Sequence, residues 1–203
     1  VGFVQECAEP PTDDAQRALG LLDRRLDVVV RVHAAQSRLH PQVVDPRAPG
    51  LERRLHGLAP ELDEQAAQLA EAAVKALPDE GNSHYRHAFA LGRYSQGLSI
   101  AKALKMGIAG KVRESLDATL ELAPKHAEAH TALALYHAEI INKIGAMIGG
   151  ITYGAKASEA DKHIKEALKL TPASPIAHIE HGNVLLLLDE KRNEDAAAAA
   201  YEK

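Results

Sequence analysis

Apolar residues recur at helical spacing through most of this 203-residue chain. After a lead-in that closes on Pro10-Pro11, Thr12 can cap a helix whose first turn carries Asp13 and Asp14. Ala15, Ala18, Leu19, Leu22, Leu26, Val29, Val30 and Ala34 then form one stripe, which predicts helix to about residue 39. His40 stands before Pro41, and a residue before proline is pushed out of the helical region. Residues 41–50 hold three prolines and read as a linker. A second helix is predicted over 60–77, with Leu62, Ala66, Leu69, Ala70, Ala73 and Leu77 on one face, ended by Pro78 and Gly81. Ser83 opens a helix predicted to reach about Lys105, and Gly107 and Gly110 interrupt it before a helix over 111–122 stopped at Pro124. The pattern then predicts a helix over 127–148 broken by Gly149-Gly150, and a helix from Ser158 that ends near Leu170 before Pro172. Ser158 with Asp161 three residues on resembles a capping box. Pro175 suits the first turn of a helix to about Leu188, and a polar turn over 189–194 leads into a last helix over 195–203.

The segments repeat one another. Aligning Pro124 of "ESLDATLELAPKHAEAHTALALY" with Pro172 of "KHIKEALKLTPASPIAHIEHGNVLL" also aligns Leu116 with Ile164, Leu120 with Leu168, His130 with His178 and Ala134 with Gly182. "AVKALPDEGNSHYRHAFALG" brings Pro78, His84 and Ala88 into the same register. Each unit is a pair of helices followed by proline.

Small residues at Ala88, Ala134 and Gly182, the pairs Ala160/Ile164 and Ala197/Tyr201, and the run "KEALKLTP" from Lys165 resemble the tetratricopeptide repeat. The resemblance covers about residues 62–203. It implies an all-α fold of antiparallel helix pairs stacked as a right-handed superhelix, with an additional N-terminal helix. The expected organisation is an N-terminal helix and proline-rich linker over 1–59, packed on a repeat region over 60–203 as one compact domain. The units are longer than the usual ~34 residues, and the extra residues fall between the two helices of a unit, near 99–110 and 140–157. They read as lengthened first helices with glycine-rich turns. "TYGAKASEADKHIKEALKLTP" from Thr152 also resembles the T component associated with TRAP transporters, a periplasmic helical-repeat lipoprotein, and the regulator of microtubule dynamics proteins.

In the repeat family the first helices line an inner face that holds a partner. The resemblance places Asn82, Tyr85, Phe89 and Arg93 on that face in one unit, Glu128, Thr131, Leu135 and Glu139 in the next, and Ile176, Ile179 and Asn183 in the third. It implies a non-catalytic scaffold or adaptor for a protein or peptide. The alternative is an exported accessory protein that encloses a small apolar ligand in a pocket lined by Ile144, Met147 and the first helices. The run "IGAMIGGITYG" from Ile144 reads either as a partner or homodimer patch or, preferably, as a segment buried between units or under the N-terminal helix.

Composition narrows the choice. Ala and Leu dominate the apolar residues while aromatics are only 3%, which favours helix over strand. Net charge is −4 with no basic stripe, so nucleic acid is not the expected partner. Residues 1–80 hold 9 Lys/Arg against 14 Asp/Glu, and residues 81–203 hold 15 against 14. No apolar run is long enough to span a membrane. No leader is visible ahead of Val1, which leaves a cytoplasmic or a periplasmic location open. Cys7 alone forms no internal disulfide. Phosphate-loop, nucleophile-elbow and His-Glu-x-x-His motifs are missing, so neither catalysis nor a cofactor is expected. The pairs His84/His87 and His178/His181 could share a helix face and a metal. Their recurrence at repeat-equivalent positions, beside His130, favours a packing role instead.

Overall fold

The computed structural model describes residues 49–203, with side-chain burial from residue 61 onward. The helix expected over 12–39 and most of the proline-rich linker lie outside the described residues. Among those described, every regular element is a helix: α1 (Pro49–Ala76), α2 (Gly81–Gln96), α3 (Ile100–Lys105), α4 (Ile108–Leu122), α5 (Ala127–Ile144), α6 (Ala146–Tyr153), α7 (Ala157–Leu170) and α8 (Pro175–Tyr201). α1 begins at Pro49 and runs through Pro60, so the last two residues assigned to the linker are helical.

The segments between paired helices differ from the sequence expectation, for local reasons. α2 does not continue to Lys105. It stops at Gln96, and Ser99 starts a separate helix by accepting the amide hydrogen of Lys102 at 3.3 Å. Gly107 (φ 63°) separates α3 from α4, which takes Gly110 into its first turn. α5 ends at Ile144 because Gly145 adopts φ 82° and ψ 154°, and Gly149-Gly150 lie inside α6 rather than breaking a helix. The expected capping box is not formed: Lys156 occupies the cap, Ser158 is already helical, and no side chain caps α7. In α8 only Asp189 leaves the helical region (φ −165°, ψ 96°). Its Oδ1 accepts from Arg192 N–H at 3.2 Å, so Asp189 caps a second arm and the expected polar turn shrinks to one residue. The two arms of α8 fold back on each other. Asn193 Nδ2 donates to the Leu185 carbonyl at 2.9 Å, and Tyr201 Oη donates to Asn183 Oδ1 at 2.8 Å.

Short turns around Pro78, Pro124 and Pro172 reverse the chain at one end of the stack. The connections through α3, α6 and Asp189 therefore reverse it at the other. Three apolar clusters run between the layers. α1 meets α2 through Ala66, Ala70 and Ala73 against Ala90, Leu91 and Tyr94. Ala88 of α2, Leu116 of α4, and Ala129 and Leu133 of α5 form the second. Ala134 and Ala138 of α5, Ala160 and Ile164 of α7, and Val184 of α8 form the third. Alanine at the contact points lets helix backbones approach closely while a few larger residues, such as Leu91, Leu116, Leu133 and Ile164, fill the gaps. At Gly182 an added Cβ would run into the ring of Tyr201, so a side chain there would have to displace that ring.

Ala134 is fully buried in the third cluster. Ala134→Leu should overpack it and lower stability by roughly 1–3 kcal/mol. A thermal melt of the variant reads this directly, and an unchanged midpoint would remove Ala134 from the close-packed seam.

Candidate functional site

One hydrogen bond recurs three times. His84 Nε2 meets the Pro78 carbonyl at 2.7 Å, His130 Nε2 the Pro124 carbonyl at 3.1 Å, and His178 Nε2 the Pro172 carbonyl at 2.9 Å. A carbonyl only accepts, so Nε2 carries the proton in each case. Proline ends one helix and cannot donate; the histidine six residues on reaches back and satisfies the carbonyl left open there. The repeat aligned in the sequence is therefore repeated as a physical contact. The histidine pairs do not converge on a metal. His84 faces its proline carbonyl, whereas His87 Nδ1 bonds Ser115 Oγ on α4 at 2.8 Å. Among the described residues, no group of three or more His, Cys, Asp or Glu side chains is placed to hold an ion.

A second histidine arrangement lies between α5 and α7. His130 has its Nε2 hydrogen committed to Pro124, so its Nδ1 accepts from His163 Nδ1–H at 2.9 Å. This leaves His163 Nε2 facing Glu159 Oε2 at 3.8 Å. His137, seven residues after His130 on the same face, stacks near His163 with centroids 6.3 Å apart. Its ring is completely buried, and its Nδ1 accepts from the Lys156 amide at 3.4 Å. Its Nε2 is buried without a partner. Burial, helped by Arg113 and His163, lowers the His137 pKa to about 4. Burial and then His130 lower that of His163. These two rings escaped the sequence reading because His163 belongs to a different helix from His130 and His137. The only available signal was the seven-residue spacing of His130 and His137.

The expected groove residues divide. In the first unit, Tyr85 lies against His126 with centroids 4.6 Å apart and 6.4 Å from Phe89. Burial and the nearby Glu128 push its hydroxyl up to about 12. Phe89 packs onto the α1–α2 cluster. Arg93 donates to Gln96 Oε1 at 3.3 Å, while its Nε and Nη2 are buried without hydrogen-bond partners. Burial lowers its pKa, and the carboxylate of Asp63 on α1 opposes that effect. Phe89 and Arg93 are thus turned toward α1, whereas Tyr85 packs toward α5. Asn82 stays half-buried at the start of α2. In the second unit, Glu128 Oε2 lies 3.2 Å from His126 Nδ1, Glu139 pairs with Lys143, and Thr131 Oγ1 donates to the Ala127 carbonyl. Leu135 leans on the α5–α7–α8 cluster. In the third unit, Ile176 and Ile179 are exposed at 70% and 47%, and Asn183 is engaged by Glu180 and Tyr201. Met147, the proposed wall of an enclosed apolar pocket, is 76% exposed.

Comparison of this chain with family models, curated proteins and solved structures finds no match.

Two outcomes follow from the buried groups. Unfolded, His137 binds its proton near pH 6.5; folded, it does so only near 4. Stability is therefore full above about pH 6.5 and falls as the pH drops toward 4, by up to ~1.4 kcal/mol per pH unit for each such histidine. Urea midpoints measured between pH 7.5 and 4.5 check this, and His137→Gln should flatten the slope. Arg93→Glu would set a carboxylate against buried Asp63 and should lower the urea midpoint by an amount equivalent to about 2 kcal/mol. An unchanged midpoint would place Arg93 on an open face.

Proposed function

We propose that this chain is a long-unit, tetratricopeptide-like scaffold, a right-handed superhelix whose first helices hold a protein or peptide partner without catalysing a reaction. The observation that carries this reading is the triple recurrence of the proline-carbonyl-to-histidine bond at Pro78, Pro124 and Pro172, in step with the buried small residues Ala88, Ala134 and Gly182. A unit that repeats a helix pair, a tight proline turn and a small-residue seam presents the same face of its first helix each time. On that face the second and third units remain the accessible part. Thr131, Leu135 and Asn183 are half-buried, and Ile176 and Ile179 are exposed. An exposed apolar pair flanked by half-buried polar groups suits an amphipathic segment laid across α5 and the first arm of α8.

Panning the intact chain against a displayed peptide library should enrich related sequences. Ile179→Lys should weaken their binding by about tenfold while leaving the thermal midpoint unchanged. A library that yields no enriched peptide, or peptides that bind the variant equally well, overturns the proposed face.

A further inference from the structure

The end of the stack opposite the proline turns carries a different surface. α3 and α6 are both short helices set between the two long helices of a unit, and both display apolar side chains outward. Ile100 and Leu104 are 62% and 49% exposed on α3, and Met147, Ile148 and Ile151 are 76%, 58% and 83% exposed on α6. The spacing i, i+4 puts Ile100 beside Leu104 on one side of α3, and i, i+1, i+4 does the same for the α6 trio. The back of α6 is Gly149, buried against Ile140. A Cβ there would meet Ile140 Cγ2 at 2.9 Å, so glycine seats α6 closely on α5 and turns its bulky residues to solvent.

Charge around these helices is one-sided. Residues 81–113 and 140–158 contain no Asp or Glu, in a chain whose net charge is −4. Lys102 and Lys105 stand on α3, and Lys156 follows α6. Among the described residues no carboxylate pairs with any of these three, whereas Lys143 is held by Glu139 at 2.8 Å. Exposed apolar side chains carried on the same connecting segments as these lysines complement an anionic lipid surface: the apolar residues enter the headgroup boundary and the ammonium groups meet the phosphates. A second copy of the same patch would oppose lysine to lysine. The eight residues of α6 measure about 12 Å along the axis, too short to cross a bilayer core of ~30 Å, so the contact is peripheral.

We propose that the α3–α6 end docks on anionic membrane surfaces, with Met147, Ile148, Ile151, Ile100 and Leu104 inserting shallowly and Lys102, Lys105 and Lys156 engaging the headgroups. This surface is separate from the partner face on the first helices and stands or falls independently of it.

The test is co-sedimentation of the full chain with vesicles of phosphatidylcholine alone and of phosphatidylcholine containing about one third phosphatidylglycerol. Expected is binding to the anionic vesicles, weakened by added salt and much reduced on phosphatidylcholine alone. Met147→Asp with Ile151→Asp should reduce binding by about tenfold or more with the helical circular dichroism and thermal midpoint unchanged. Lys102→Glu with Lys105→Glu should remove the preference for anionic lipid. Absence of binding to either vesicle overturns the proposal, as does binding that survives both pairs of substitutions. A stable dimer in solution that the Met147/Ile151 substitutions dissociate, with no vesicle binding, also overturns it and assigns the patch to a second copy.

Discussion

The closeness with which helix backbones approach one another governs this molecule. Ala88, Ala129, Ala134, Ala138 and Ala160 are buried at the contact seams, and Gly182 lies beneath the ring of Tyr201. With little side chain between the helices, a few larger residues close the seams, among them Leu116 and Leu133 in the second cluster and Ile164 in the third, all three buried almost completely. Such a core contains few aromatics and tolerates little added volume. It also fixes what can surround it. Helices this close must reverse sharply at their ends, and the polar groups of those reversals must be satisfied there.

Histidine serves that need at one end. Three times it closes the carbonyl that a turn proline leaves open, and in the middle unit the same ring also accepts a hydrogen bond from the second helix of its own pair. His130 thereby links the turn to His163, and His163 lies beside the buried His137. A neutral imidazole suits this role because one nitrogen donates while the other accepts. Protonating His137 would set a second donor against the Lys156 amide and charge a ring held out of water, and burial with the neighbouring His130 likewise lowers the proton affinity of His163. Packing and pH sensitivity therefore arise from the same contacts.

The opposite end closes its reversals in a different way in each unit. The third unit reverses through Asp189 alone, with Asn193 reaching back to Leu185. The first two units use additional short helices there. Neither α3 nor α6 adds a side chain to the second or third cluster, and α3 touches the first only through Ala103. Their exposed apolar residues thus stand outside the packing that holds the helix pairs together.

The sequence alone determined that the described chain is helical, where its proline turns fall, and which small residues sit at repeat-equivalent seams. These are local properties: periodicity of 3.6 residues, the missing donor of proline and the size of alanine are all legible one residue at a time. Tertiary structure decided the rest. Arg93 shares the helical spacing of an open-face residue, yet its surroundings depend on α1 lying alongside. The His130–His163 bond joins residues 33 positions apart, and the burial of His137 depends on α7. Met147 and Ile151 look like core residues in an apolar run, but Gly149 at their back lets α6 lie on Ile140 and directs them outward. Periodicity identifies the face a residue occupies; only the neighbouring helix determines whether that face is covered.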